Sequence, residues 1–432
     1  MSLPEPTLTS LAASISDAAK GITKYLEDNG HPAPSFQESG LERYPKDPQL
    51  LGLQFQLIEA TSDLYHLALG PEMMVFMQPI LFDFFSAVPL GGSASYSEIA
   101  VKTNLPESTV RRVLRHAMTM RLFEEKPPGS GNLTHTSTTA YVAKYPTWRS
   151  FLGHNLEDLR PGTLHVPESL RKFSAGKEKP SEEVLESGVS LADVDRLGYP
   201  TSCWEYLDRT PEGKPEGYRA NRFAEAMQIA SSTEAIKSSD LLTAFDWKSY
   251  GEATVVDVGG SAGHDAITLA KSFPALKLVV QDLQQNEAKF QSNLQPELAS
   301  RISYQVHDFF SPQPVAADVY FLKMILHDWP NKDASSILRN LVPSLKSGAR
   351  ILLFENVIPP AFDGDGNRVL PAMVQRMFSA ADLQMLTAFN SMERTLDEWK
   401  ALLKEADESL EIRSVLSIPG AFQSIIEVAL KK

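Results

Sequence analysis

Thr254-Val-Val-Asp-Val-Gly-Gly-Ser-Ala-Gly263 is an apolar, β-branched run that ends in an acidic residue and a cluster of glycines. Such a run predicts a buried strand of a parallel sheet that turns through a glycine-rich loop into a helix. Glycine suits the turn because the backbone takes positive φ there and a ligand can approach without meeting a Cβ. The motif alone is compatible with an NAD, FAD, other-nucleotide or purely structural turn, so the rest of the chain has to decide.

The sequence after Gly263 alternates regularly between strand and helix patterns. Strands are predicted at 253–258, 277–281, 302–307, 318–322 and 350–354, and the runs 411–416 and 424–430 suit a closing antiparallel pair. Parallel strands joined by helices imply an α/β, Rossmann-like doubly wound sheet, whose ligands bind at the carboxyl ends of the strands. We therefore look for functional residues just after each strand.

Acidic and aromatic residues follow the second and third strands. Asp282 lies 25 residues beyond Asp257, a spacing at which a carboxylate can accept hydrogen bonds from both hydroxyls of a ribose. A helix cap is the alternative role for Asp282. Asp308 and Phe309 would offer an acceptor for an exocyclic amine beside a ring for stacking, as an adenine site requires. Because no Gly-Lys-Ser/Thr phosphate motif occurs, the pattern predicts S-adenosylmethionine as the adenosine-containing ligand.

Residues with acid–base chemistry follow the last two parallel strands. Lys323, His327, Asp328 and Trp329 come after the fourth strand, and Glu355 comes after the fifth. An acceptor hydroxyl needs a base at neutral pH, and histidine is the side chain best matched to that task. A hydrogen-bonded core histidine is the alternative for a histidine considered alone.

Composition excludes several classes of protein. The formal net charge of -13 opposes binding to nucleic acid phosphates or anionic lipid. The single cysteine, Cys203, cannot form an internal disulfide, and no pattern predicts a metal site. Residues 1–20 lack a secretory signal, and the most apolar segment, 73–90, is interrupted by Pro79 and Asp83. These features predict a cytoplasmic protein with no nucleic acid and no membrane partner.

The N-terminal third is mainly helical. Apolar residues in 8–26 recur at three- and four-residue steps, which predicts a helix packed either on its own domain or on a second subunit. A helix, turn and helix over 96–115, followed by two short strands around a Pro/Gly/Ser tip, predict a winged helix. Since no wide basic field accompanies it, we favour a dimerisation role over DNA binding.

The patterns divide the chain into four parts. We predict an N-terminal helical arm and connector over 1–50 and a winged-helix dimerisation domain over 51–150. A helical linker with the acceptor-pocket region follows over 151–245, and the catalytic domain occupies 246–432. The charged insert at 175–197 is expected to be a surface loop.

Several of these motifs together resemble a known family. They are Asp257-Val-Gly-Gly-Ser-Ala-Gly263, Asp282-Leu283, His307-Asp-Phe-Phe310, Phe321-Leu-Lys-Met-Ile-Leu-His-Asp-Trp329, Leu353-Phe-Glu355 and Glu393-Arg-Thr395. The chain resembles the plant and fungal small-molecule O-methyltransferases typified by caffeic acid O-methyltransferase, over roughly residues 50 to 430. The resemblance implies a seven-stranded methyltransferase sheet with an N-terminal, mainly α winged-helix dimerisation domain, and a homodimer that acts on a small-molecule acceptor.

The resemblance also implies roles for individual residues. His327 would be the general base, and Glu355 and Glu393 would flank its imidazole by hydrogen bonding and charge. The residues implied to bind S-adenosylmethionine are Asp257, Gly259, Gly260 and Gly263 near its methionine part, Asp282 and Leu283 at the ribose, Asp308, Phe309 and Lys323 around the adenine, and Trp329 nearby. Asp328 would lie beside the acceptor.

The acceptor pocket is the least determined part of the site. Candidates are Met227, Met373, Met377, Met385 and Phe389, apolar residues that suit a flat aromatic or polyketide ring and could equally be core. His154, His165 and His264 are interpreted as structural. Ser261 stands where the family commonly has glycine, which is tolerable if its φ is negative.

Two enzymatic functions and one regulatory function fit these patterns. The leading hypothesis is S-adenosylmethionine-dependent O-methylation of a phenolic or enolic hydroxyl on a secondary metabolite. The alternative is a methyltransferase-like pericyclase or dehydratase that retains the cofactor without transferring its methyl group. A winged-helix regulator with a vestigial ligand domain is the third hypothesis.

Overall fold

The computed structural model describes residues 6–35, 41, 44–77, 84–232, 239–417 and 423–431. The chain divides into two compact units, Met1–Trp148 and Arg149–Lys432. The finer division into four parts remains a prediction.

The first unit begins with two long helices. Helix α1 spans Leu8–Asp28, and α2 spans Pro48–Met77 with non-helical backbone at Gly70. The apolar stripe predicted for α1 is buried at Leu11, Ala18, Ile22 and Leu26, and its last two residues pack against α2 at Leu50. Much of the apolar face of α1 is therefore covered within its own unit.

The remainder of the first unit contains the elements predicted for a winged helix. They are α3 (Phe84–Ala87), β1 (Ala94–Ser95), α4 (Tyr96–Thr103), α5 (Glu107–Thr119), β2 (Glu124–Glu125), β3 (Asn132–Thr134) and α6 (Ser137–Lys144). The three strands form an antiparallel sheet in the order β1-β3-β2. On α5, Arg111 bonds Glu107 and lies over the Tyr96 ring. Part of the apolar segment predicted at 73–90 lies outside the described residues.

The second unit opens with a helical segment. It contains α7 (Trp148–Gly153), a π-helix (His154–Leu159), α8 (Arg160–Ser169), a second π-helix (Leu170–Ser174), α9 (Gly188–Leu197), α10 (Cys203–Asp208), α11 (Tyr218–Ser232) and α12 (Ser239–Ala244). The prediction of a surface loop at 175–197 is wrong for its C-terminal half, where α9 buries Val189, Leu191 and Asp193. The buried face of α9 is partly polar, so apolar periodicity did not reveal it.

The large sheet follows. Its strands are β4 (Thr254–Val258), β5 (Lys277–Asp282), β6 (Ile302–Val306), β7 (Val319–Lys323), β8 (Arg350–Ile358), β9 (Arg394–Thr395), β10 (Leu410–Ser417) and β11 (Gln423–Leu430). The helices are α13 (His264–Ser272), α14 (Glu287–Asn293), α15 (Asn331–Leu341), α16 (Ala372–Phe389) and α17 (Leu396–Ala406). In the described part of the chain, the order is β10-β11-β8-β7-β4-β5-β6, and β9 pairs with the end of β8.

The doubly wound α/β fold predicted from the sequence is confirmed. Strands β4 to β8 pair in parallel, and β11 lies antiparallel between β8 and β10. One face buries Phe290 and Phe354, and the other buries Leu353 and Trp399. Within the part of the chain that the structure describes, the helices are too short or too polar to cross a membrane.

Candidate active site

The glycine-rich loop after β4 is closely packed. Gly259 has φ of +75°, and a Cβ built there would lie 2.6 Å from Cδ1 of Ile325. Gly263 also has φ of +75°, and its Cβ would lie 2.6 Å from the Phe290 ring. Both positions therefore require glycine for conformation and for space.

Ser261 in the same loop departs from the expectation of negative φ. Its φ is +48°, in the left-handed region that L residues rarely adopt. The amide of Ser261 donates a 2.8 Å hydrogen bond to Oδ2 of Asp282, which holds the loop in this conformation. A single sequence position carries no signal for such a bond to a residue on the next strand.

A buried carboxylate lies under the loop. Asp257 is almost fully buried, and its Oδ2 has no hydrogen-bond partner among the described residues. Burial and the nearby carboxylate of Asp265 raise the pKa of Asp257 to about 8. Nζ of Lys323 lies 2.9 Å from Oδ1 of Asp265, so Lys323 belongs to this charge cluster. An unpaired acceptor beneath a glycine loop fits the cationic amino-acid end of S-adenosylmethionine.

Asp282 at the end of β5 is held in one orientation. Its Oδ1 accepts hydrogen bonds from the amide of Leu283 (2.7 Å) and from Nδ2 of Asn286 (2.8 Å). Leu283 is itself exposed. A carboxylate offers about four acceptor positions, so these bonds and the one from Ser261 leave capacity for a ribose hydroxyl. Sequence reasoning missed Asn286.

Aromatic rings gather after β6. Asp308 accepts a 2.9 Å hydrogen bond from the amide of Phe310 and is otherwise exposed. The Phe309 ring lies 5.8 Å from Trp329 and the Phe310 ring 4.8 Å from it, both edge-on. The structure thus brings Phe309 and Trp329 together, as the resemblance implies, and adds Phe310 to them.

His327 lies in a short 3-10 turn, Leu326–Asp328, after β7. Its Nδ1 lies 3.0 Å from Oε1 of Glu393, and its Nε2 lies 3.5 Å from Oδ1 of Asp328. The chain returns after α16 through Ser391, whose hydroxyl donates a 2.6 Å hydrogen bond to the carbonyl of His327. The structure therefore pairs the imidazole with Glu393, although 66 residues separate them.

Glu355 has different partners from those implied by the resemblance. Its Oε1 accepts hydrogen bonds from the amides of Ile325 (2.9 Å) and Leu326 (2.7 Å) rather than from the imidazole of His327. Its other oxygen, Oε2, is buried and has no hydrogen-bond partner among the described residues. Glu355 thus fixes the backbone that carries His327 and acts on the ring through charge.

These carboxylates shift one another's pKa values. Burial lowers the pKa of His327, but Asp328, Glu393 and Glu355 outweigh burial and raise it to about 10. Burial raises the pKa of Asp328 to about 6 and that of Glu355 to about 7. Burial also acts to raise the pKa of Glu393, yet its contact with His327 holds that pKa below the usual value. A strongly basic imidazole therefore sits beside an ionised Glu393.

Arg394 supports the turn that carries His327. It is fully buried and donates 2.9 Å and 2.8 Å hydrogen bonds to the carbonyls of Leu326 and Trp329, and it also bonds Oδ1 of Asn331. Its neighbour Glu393 bonds the imidazole, so one segment holds both the ring and its backbone. The Glu-Arg-Thr motif was the signal for Arg394, but it indicated no role for this residue.

The predicted acceptor-pocket residues do not lie in one environment. Met385 and Phe389 are buried with Leu159 and Leu207, whereas Met227 is exposed. Met377 is half-buried, and the side chain of Met373 is not among those described. The ring of Phe389 stacks on Trp204 at 5.2 Å, and Trp204 lies 6.4 Å from Trp329 in a nearly parallel orientation. The sequence did not predict Trp204, because this residue is far in sequence from the other motifs and no local pattern indicates its contact with Trp329 or Phe389.

The three histidines interpreted as structural lie outside the His327 cluster. Buried His154 lies 3.3 Å from Asp158, which is also bonded by Arg222. His165 lies on α8 near Glu168 and Asp195, and His264 is exposed at the start of α13.

Comparisons with known proteins agree with this architecture. Residues 203–407 match the O-methyltransferase domain family. The chain is 34% identical over 444 residues to the O-methyltransferase VdtC of Byssochlamys spectabilis, covering 98% of this chain and 97% of VdtC. Its fold is similar to the crystal structure of OxaC, with a TM-score of 0.68, 20% identity, and coverage of 98% of this chain and 100% of OxaC.

A further solved structure is similar at higher sequence identity. NcsB1, an O-methyltransferase from neocarzinostatin biosynthesis, was solved with S-adenosyl-L-homocysteine and 1,4-dihydroxy-2-naphthoic acid. Its TM-score is 0.60 and its identity 26%, covering 79% of this chain and 90% of that one.

Proposed function

The chain belongs to the S-adenosylmethionine-dependent O-methyltransferases, and we propose that it methylates a phenolic or enolic hydroxyl of a small secondary metabolite, with His327 as general base. The observation that carries the proposal is the buried pair of His327 and Glu393, 3.0 Å apart at the carboxyl end of the sheet. VdtC is an O-methyltransferase, and NcsB1 was solved with a hydroxylated naphthoic acid, which supports an aromatic acceptor.

The basicity of His327 suits a phenol. A phenolic hydroxyl has a pKa of about 10, and the surrounding carboxylates raise the pKa of His327 to about 10. Proton transfer between two groups of equal pKa is nearly thermoneutral. An ordinary imidazole, with a pKa of about 6.5, would make the same transfer unfavourable by about 5 kcal/mol. Glu393 on Nδ1 fixes the tautomer, so that Nε2 is the nitrogen available to the acceptor.

The cofactor would be held along the ends of β4, β5 and β6. Gly259, Gly260 and Gly263, with the unpaired oxygen of Asp257, suit its methionine part. Lys323, which the resemblance assigned to the adenine region, lies instead beside Asp265 in the charge cluster under the loop. Asp282, beside Leu283, suits the ribose, and Asp308, Phe309 and Trp329 suit the adenine region. When bound, S-adenosylmethionine supplies an electrophilic methyl group. The chain's own contribution is to orient the acceptor and take its proton.

Product analysis tests the proposal. Incubation with S-adenosylmethionine and hydroxylated aromatic acceptors should give methyl ether and S-adenosylhomocysteine in equal amounts. His327→Ala should lower turnover by about 10²–10⁴-fold while S-adenosylhomocysteine still binds with wild-type affinity in calorimetry. Turnover near the wild-type rate would remove His327 from the role of base. Product formed without S-adenosylhomocysteine would instead favour the pericyclase or dehydratase alternative.

We also propose a homodimer. Exposed apolar residues on α2, namely Leu51, Phe55, Ile58 and Tyr65, follow each other at four, three and seven residues and so share one helix face. A stripe of this kind on a soluble domain marks an interface, and a second copy of the chain is its proposed occupant. Sedimentation should show a dimer that Ile58→Glu dissociates; a monomeric wild type would contradict the proposal. The cytoplasmic location also stays a prediction, for cell fractionation to test.

A further inference from the structure

Three buried N–H donors lie on the short helix α10 and on the helices before and after it in the sequence. They are Nε1 of Trp204, Nε of Arg222 and Nη2 of Arg196, and each lacks a hydrogen-bond partner among the described residues. Buried donors are nearly always paired in folded proteins, because an unpaired one forfeits its bond to water. Arg222 is also more than nine-tenths buried. Unpaired donors on α9, α10 and α11 therefore indicate a ligand with hydrogen-bond acceptors.

One of these donors, Trp204, belongs to a group of aromatic rings that extends to the residue two positions after the candidate base. The Trp204 ring is 6.4 Å from that of Trp329, two residues after His327. The ring of Phe223 also lies 5.7 Å from that of Trp204, edge-on, and Phe223 directly follows Arg222 in the sequence. Trp204 is only half-buried as a whole. Helices α10 and α11, which carry Trp204 and Arg222, contact each other, so an acceptor that packs beside these rings lies next to the two helices that carry the unpaired donors.

The charge of Arg222 is already balanced. Its Nη1 and Nη2 bond the carboxylates of Glu157 and Asp158, and Arg219 lies 4.0 Å from Asp158. Arg196 likewise bonds Asp193. Arg222 therefore still offers its Nε–H group as a hydrogen-bond donor, whereas its positive charge is already neutralised by carboxylates. A neutral oxygen acceptor fits this environment better than an anion does, because no uncompensated cation is available to pair with an anion.

We propose that Trp204 and Arg222 form a second subsite that binds a carbonyl oxygen of the acceptor. This inference rests on the proposed methyltransferase function and adds the substrate class: a hydroxylated ring system that also carries a ketone-type oxygen. The hydroxyl to be methylated is placed at His327, and the carbonyl is placed at the indole and guanidinium N–H groups. The two polar anchors fix which hydroxyl of a polyoxygenated ring reaches the base.

A pair of matched probes tests the subsite. 7-Hydroxy-1-tetralone and 5,6,7,8-tetrahydro-2-naphthol share one phenol and differ in the ketone. Binding of each to the enzyme saturated with S-adenosylhomocysteine is measured by calorimetry, which requires no methyl transfer. The wild type should bind the ketone about 10-fold more tightly, the size expected for a hydrogen bond to a buried donor. Trp204→Phe, which keeps an aromatic ring without the N–H, should reduce the ratio to about 2 or less.

Two further variants separate a hydrogen bond from general damage. Arg222→Lys keeps a positive charge opposite Glu157 and Asp158 but lacks Nε–H, and it should reduce the same ratio. Trp247→Phe removes an indole from a core cluster that does not contain Trp204 and should leave the ratio unchanged. The proposal is overturned if the wild type shows no preference for the ketone, or if Trp204→Phe retains it. Because turnover is measured separately, failure here leaves the methyltransferase assignment standing.

Discussion

The carboxyl end of the sheet and the helical segment at 154–222 carry opposite kinds of unpaired buried atom. At the sheet, Oδ2 of Asp257 and Oε2 of Glu355 are acceptors without donors among the residues that the structure describes. In the helical segment, Nε1 of Trp204 and Nε of Arg222 are donors without acceptors in the same described part of the chain. Acceptors suit a cationic cofactor and a protonated imidazole, whereas donors suit an oxygen-bearing substrate. Under the proposed function, this difference assigns the cofactor to the sheet region and the acceptor to the helical segment.

Glu393→Gln changes a residue of the sheet region and should have the largest effect. The amide keeps the size of the side chain but loses the charge and the preference for one imidazole tautomer. We expect kcat/KM on the high-pH plateau, where the imidazole is unprotonated in both proteins, to fall by about 10²–10⁴-fold, within the range of general base catalysis. Steady-state kinetics with an acceptor that the wild type methylates provide the measurement.

The pH profile of the same variant identifies the titrating group. Activity requires unprotonated imidazole, so wild-type kcat/KM should rise with pH up to the pKa of His327, about 10. Glu393 is one of the carboxylates that raise this pKa, so Glu393→Gln should shift the rising limb to lower pH by about 1–3 units. Asp397→Asn, which changes an exposed carboxylate next to this segment, should leave the limb in place. If the rising limb does not shift in Glu393→Gln, the titrating group is one other than His327.

Much of the sheet could be predicted because its information is local. Each of β4, β5 and β7 is a short apolar run ending in a charged or turn residue, and their predicted bounds agree with the structure within two residues. The residues after these strands were found by the same logic, because parallel topology brings strand ends together. Their biochemical roles remain predictions.

Less could be predicted where information comes from distant contacts. Helix α9 buries Asp193 through a bond from Thr201 and an ion pair with Arg196, so a polar sequence forms a buried helix. Trp204 meets Trp329 and Phe389 only through folding, and no local spacing connects them. Glu355 was expected on the imidazole, but the sequence cannot tell a ring nitrogen from the backbone amides beside it.

Gly259→Ala tests the cofactor side with a smaller effect. The methyl group would lie 2.6 Å from Cδ1 of Ile325, at a position with φ of +75°. We expect affinity for S-adenosylhomocysteine to fall by roughly 10-fold, because relief of the contact with Ile325, together with a backbone strain of about 1–2 kcal/mol, would move the loop out of the conformation that receives the cofactor. Calorimetry measures the affinity and thermal melting measures the stability.

Gly198→Ala is the matched control in the helical segment. Gly198 ends α9 with φ of +83°, and a Cβ there would meet nothing within 4 Å. The backbone strain is comparable, so Gly198→Ala should lower the melting temperature without weakening cofactor binding. If both variants lost cofactor affinity equally, general destabilisation would explain the result and the loop would lose its assigned role.

Lys332→Gln should have the smallest effect, although it breaks a link between the two regions. Lys332 on α15 bonds Glu183 of the helical segment at 2.6 Å, and the two side chains are 39% and 63% exposed. Exposed ion pairs contribute only about 0.2–1 kcal/mol, and Asn390 still holds the carbonyl of Glu183 with a 2.8 Å hydrogen bond. We therefore expect less than about a twofold change in kcat/KM and a similar melting temperature. A loss approaching that of Glu393→Gln would mean that the alignment of the two regions depends on this surface contact rather than on the half-buried rings of Trp204 and Trp329.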